Sequence, residues 1–144
     1  MNNIIKNKGW IWDPTHLILD EQFEYDTKKR GINWISSDGL FEIKDGMAIC
    51  RPGIEWDGTT SVSDGGPDSS KPNFPITWKA SLIHDQFCKY TRESEEFRKH
   101  YSRTDGDRYF YELLKESNFK WAIVYYAGVR FWSLVAFLKH YFHK

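Results

Sequence analysis

Residues 57–77 divide this chain into two halves that cannot share one kind of secondary structure. The stretch begins Asp57-Gly58-Thr59-Thr60-Ser61-Val62-Ser63-Asp64-Gly65-Gly66-Pro67-Asp68, and its glycines, proline and small polar residues argue against regular elements. Before it, short apolar or aromatic runs at 23–25, 32–35, 40–43 and 47–50 read as strands. Asp38-Gly39 and Asp45-Gly46 stand between the later runs as hairpin turn signals. After it the spacing turns helical. Thr77 is placed to cap a helix over 78–90, a second helix starts near Thr104 or Asp105 and runs to 116, and Ser117-Asn118 breaks the chain before a third over 119–141. The expected fold is α+β, a small N-terminal antiparallel sheet packed on about three C-terminal helices, with residues 1–144 as one domain. A loop of about twenty residues inside so small a domain is uncommon, and such loops are often functional.

Aromatic residues make up 17% of the chain, enough to build a small core from few side chains. The formal net charge is zero, which gives no support to long-range attraction of nucleic acid, and none is expected as a partner. The charges are nevertheless partitioned. Residues 38–68 hold seven acids against two bases, and residues 119–144 hold Lys120, Arg130, Lys139 and Lys144 with no acid. A solvated acidic loop and a basic helix end account for most of this; cation binding at the first region and anion or membrane contact at the second are the alternatives. Cys50 and Cys88 are too few for a disulfide framework, no Cys-x-x-Cys occurs, and the N-terminus lacks the apolar core of a signal peptide. A reducing cytoplasm is the expectation.

On a helical wheel the first helix places Ala80, Ile83, Phe87 and Tyr90 on one apolar face. His84 falls on the edge of that face, one turn from Ala80 and one from Cys88. Asp85 lies farther round, over Ser81 and Lys89, where it can face a cleft. A half-buried histidine with a carboxylate at hand suits proton transfer or cation binding. The dipeptide itself says little, since composition alone yields about 0.4 His-Asp pairs in a chain like this. A lone histidine at an apolar edge is more often structural. In the second helix, Tyr109, Phe110 and Leu113 pack inward and leave Asp107 near the helix start, able to reach the neighbouring helix and hold an imidazole. Pairing of Asp107 with Arg108 or Tyr111 is the plainer alternative. Oxygens of the Asp57 loop, with Asp85, are candidates for a hard divalent cation such as calcium, although the spacing matches no EF-hand.

The run Gly53-Ile54-Glu55-Trp56-Asp57-Gly58-Thr59-Thr60-Ser61-Val62, then Ala80-Ser81-Leu82-Ile83-His84-Asp85, then Asp107-Arg108-Tyr109-Phe110-Tyr111-Glu112-Leu113-Leu114, then Val129-Arg130, resembles the phage and bacterial family known as domain of unknown function 1353. The resemblance covers roughly residues 40–132. The resemblance singles out Asp57, Ser61, His84, Asp85 and Asp107, and implies a phage or prophage origin without supplying an activity. Where the family has a proline soon after the serine, this chain has Val62-Ser63. More distantly, the His-Asp helix resembles that of phospholipases A2. By that analogy His84, Asp85, Tyr90 and Asp107 would be base, calcium ligand, supporting tyrosine and orienting acid, although no glycine-rich calcium loop or disulfide framework accompanies them.

Residues 121–138 contain a single charge, Arg130, in eighteen positions. That length is at the threshold for a membrane span, but the central arginine and the scattered aromatics argue for a core helix instead. Contact of this helix with a lipid surface or a partner is the alternative. Three functions follow. The first is a small hydrolase with His84 as base, Asp107 as its support, Asp85 beside it, and Asp57, Ser61, Tyr90, Arg108 and Tyr111 around the substrate, be that a small molecule or a lipid. The others are a binding or inhibitory protein directed at a ligand or host protein, and a virion-associated structural component. The first two place the protein in the host cytoplasm, the third in the virion.

Overall fold

The computed structural model describes residues 4–6, 17–19, 21–56, 67–68, 71–75 and 78–142. Three antiparallel sheets lie N-terminal to four helices, an α+β arrangement. The largest sheet holds β3 (Phe23–Asp26), β4 (Trp34–Ile35), β5 (Phe41–Lys44) and β6 (Met47–Cys50) in the order β3-β6-β5-β4. Its tightest connection is Asp45-Gly46, with φ of 49° and 79°. Positive φ at both positions is what a two-residue type I′ hairpin requires. Glycine is doubly required at 46, because a Cβ there would lie 2.2 Å from the Lys29 carbonyl oxygen.

A second sheet joins β1 (Ile4–Lys6), β2 (Leu17–Leu19) and β7 (Glu55–Trp56). No local signal in the sequence marks it. These strands are two or three residues long, and β2 meets β7 across most of the front half, so no local turn announces the pairing. The stretch expected to lack regular structure also holds a small hairpin, β8 (Pro67–Asp68) with β9 (Lys71–Pro75). Asp57, Ser61 and the expected cap Thr77 lie outside the described residues.

Alternation along the large sheet puts Tyr25, Phe41, Ile43, Ala48 and Cys50 on one buried face. The helices cover it with more rings. These come from α1 (Trp78–Glu93), the single turn α2 (Glu95–Arg98) and α3 (Arg103–Glu116). Phe87 meets Phe41, Phe97, Tyr101 and Tyr109 edge-on, with centroids 5.0 to 5.7 Å apart, a spacing typical of attractive aromatic pairs. Ser102 caps α3 through a reciprocal capping box with Asp105, and the helix begins at Arg103, one residue before Thr104. Asn118, with a left-handed φ of 57°, turns the chain out of α3.

Helices α1 and α3 approach closely at Gly106, where a Cβ would lie 3.0 Å from the Cβ of Phe87. Against α3 lies α4 (Ala122–Phe142). The expectation of a central core helix fails here. α4 buries Ala122 and Ser133 but exposes Ile123, Val124, Phe131, Trp132, Leu134 and Leu138. Among the described residues its main packing partner is α3, and its apolar composition exceeds what the flank against α3 can hide. Among the described residues no helix is long and apolar enough to cross a membrane.

Candidate functional site

The close approach at Gly106 brings together the side chains one residue beyond it on α3 and one turn before Phe87 on α1. His84 Nε2 lies 2.6 Å from Asp107 Oδ1. The His84 side chain is 14% exposed and that of Asp107 is 0% exposed. The second oxygen of Asp107 is also occupied: Arg130 Nη1 donates to it at 2.9 Å and Ser133 Oγ at 2.7 Å, both from α4. Arg103 Nε donates in turn to Ser133 Oγ at 2.8 Å, and Arg130 reaches Thr104 Oγ1 at 3.1 Å. A fully buried carboxylate is thus held by a ring nitrogen, a guanidinium and a hydroxyl, as a buried charge must be.

With Nε2 taken by Asp107, Nδ1 of His84 is left to the other side. It lies 4.0 Å from Asp85 Oδ1 and 3.9 Å from Cys88 Sγ, which is itself 3.5 Å from Nε2. Burial opposes a charge on the ring, but the bonds to Asp107 and Cys88 outweigh it and push the His84 pKa up to about 10. The ring is therefore a cation at neutral pH.

Two clefts flank this group. Asp85, 37% exposed, and Cys88 line a cleft of about 430 Å3 that runs between α1 and Trp56 of β7. Trp56 is fixed there by its indole N–H, which donates to Ser81 Oγ at 3.1 Å. On the other side a cleft of about 720 Å3 is lined by Cys88, Arg130 and Ser133 among others. Cys88 belongs to both walls.

The remaining sequence candidates among the described residues lie elsewhere. Tyr90 does not join the site: its ring is buried in the core, stacked on Phe41 at 5.7 Å. Arg108 does not pair with Asp107; it donates to Asp105 Oδ1 at 3.1 Å and lies against the Tyr109 ring. Tyr111 stacks on Tyr126 at 4.8 Å, bracing α3 against α4. The structure instead adds Cys88, Arg130 and Ser133. A cysteine one turn after the histidine and a lone arginine in an apolar helix were the available signals. Neither spacing says that the two would converge on Asp107.

Among the described residues the one group spaced to hold a metal is His84, Cys88 and Asp107, and Asp85 is not part of it. A thiol and an imidazole suit a soft transition metal rather than calcium. The geometry fits a proton better than either. A 2.6 Å separation between nitrogen and oxygen is a hydrogen-bond length, and the guanidinium of Arg130 already supplies positive charge to the carboxylate. No protein-family model, curated protein or solved structure matches this chain.

Proposed function

We propose that the protein is a small hydrolase in which His84, oriented by Asp107, exchanges a proton with water or substrate through Nδ1. One observation carries this: the 2.6 Å bond from Nε2 to Asp107 fixes the ring and leaves Nδ1 toward Asp85 and Cys88, both of which line clefts. An acid that orients an imidazole while its other nitrogen works is a recurring catalytic arrangement. The raised pKa sets the working range. As a base the ring must be neutral, so turnover rises with pH above the ordinary 6.5 toward about 10. The resemblance of the four sequence blocks adds a phage or prophage setting to the same proposal.

The test is a panel of chromogenic esters, amides and phosphate esters assayed across pH with the wild type, His84→Ala and Asp107→Asn. Removing a general base lowers the rate by about 100-fold or more. Turnover by none of the panel, or full turnover by His84→Ala, overturns the proposal.

A second function is favoured by the saturation of Asp107, whose oxygens meet three donors from two other helices. On that view the cluster locks α1, α3 and α4 together, and the clefts bind a ligand or host protein without chemistry. A His84→Ala protein that melts far below wild type, with no substrate ever turned over, selects it.

A further inference from the structure

The larger cleft has walls of one sign. Arg92, Arg98, Arg103 and Arg130 all line it, and among the described residues no aspartate or glutamate does. Four like charges gathered around one cleft repel one another unless something answers them. Arg130 meets a carboxylate there, and that carboxylate, Asp107, is shared with the ring of His84. Arg98 donates to the Thr91 and Arg92 carbonyls, and Arg103 Nε to the Ser133 hydroxyl, so these bonds go to uncharged oxygens. The N-terminus of α3 opens onto the same space through Ser102, Arg103 and Thr104, adding its positive helix end. Asp105 of the capping box accepts from the Ser102 N–H and is also paired with Lys29 and Arg108.

We propose that this cleft seats a phosphate group of the protein's ligand. Guanidinium forks match the oxygens of phosphate in pairs, and a dianion answers several arginines at once. Cys88 and Ser133 in the cleft wall adjoin the His84–Asp107 pair, so the atoms next to a seated phosphate lie beside that centre. The seat itself stands on the wall charges; only the description of its occupant as a substrate rests on the hydrolase proposal. The cleft rim also includes Leu134, which continues into exposed Phe131 and Leu138 at helical spacing on α4. The phosphate therefore has two sources to be told apart, a soluble ester and a lipid headgroup.

The experiment is a titration with inorganic phosphate at constant ionic strength, read by calorimetry, on the wild type, Arg92→Gln and Arg92→Gln/Arg98→Gln, with melting curves to confirm folding. Wild type binds, and the double variant binds about tenfold more weakly or worse, a loss of about 1.4 kcal/mol. In a parallel arm, vesicles of phosphatidic acid are compared with vesicles of phosphatidylcholine by co-sedimentation. Binding to phosphatidic acid that the same substitutions abolish, without binding of free phosphate, assigns the headgroup as the source. Binding in neither arm, or binding that ignores both arginines, overturns the seat. Arginine-dependent binding without turnover of any substrate removes the hydrolase and leaves the seat standing; turnover without phosphate binding does the reverse.

Discussion

Asp107 is the residue on which most of the site depends. Its carboxylate is wholly buried and its charge is answered by His84 and Arg130 together. Removing one member of such a group strands the others, so Asp107→Ala should cost about 3–5 kcal/mol, seen as a lower denaturant midpoint at unchanged slope. The same pairing makes stability depend on pH. The folded pKa of His84 lies above the 6.5 of a free imidazole, so folding gains from the charged ring. That gain is whole below pH 6.5 and is lost as pH rises through about 10. Melting temperatures of wild type should therefore fall across that window relative to His84→Gln, which carries no titrating ring. At this scale the sequence showed where a histidine and an acid would stand on their own helices, because helical spacing is local. It could not show that α4 would bring Arg130 and Ser133 to the same carboxylate. It also tempted an assignment for Tyr90 that the helical wheel itself opposes: six residues on from His84 the side chain has turned well away, and the ring joins Phe41 in the core.

Among the elements, α1 and α3 are set by Gly106. Alanine there gains about 1 kcal/mol of helix propensity, but a Cβ 3.0 Å from that of Phe87 overpacks the seam at about 1–3 kcal/mol. Gly106→Ala should thus be mildly destabilising and should also part His84 from Asp107, lowering the histidine pKa by NMR titration. Ser102→Ala removes the cap of α3 at about 1 kcal/mol and frees the Asp105 backbone N–H, while the Asp105 carboxylate keeps the N–H of residue 102. There burial opposes the charge but is outweighed by the Ser102 N–H and Lys29, which hold the pKa below the usual range. α4 supplies the sharpest contrast. A core aromatic replaced by a small polar residue costs several kcal/mol, whereas Trp132→Ser on the exposed face should change stability by less than about 0.5 kcal/mol. The Asp-Gly turns and the helical stretches were legible because each carries its own signal. The β1-β2-β7 sheet was not, since its pairing is made between segments far apart in the chain.

For the molecule as a whole, a neutral sum conceals an uneven distribution. The α+β division was legible from the change of spacing on either side of residues 57–77, while the gathering of four arginines from different helices around one cleft required the fold itself. The seam at Gly106 has a further consequence for how the molecule opens. Backbone amides of α1 and α3 on either side of it are shielded by the aromatic core, whereas α4 leans on α3 by one flank and leaves the other in water. Under native hydrogen exchange, α4 should open first, taking Arg130 and Ser133 off Asp107, while the amides around His84 and Gly106 exchange only with global unfolding. The imidazole and its carboxylate would then survive as a pair in every partly opened form, and the guanidinium would come and go.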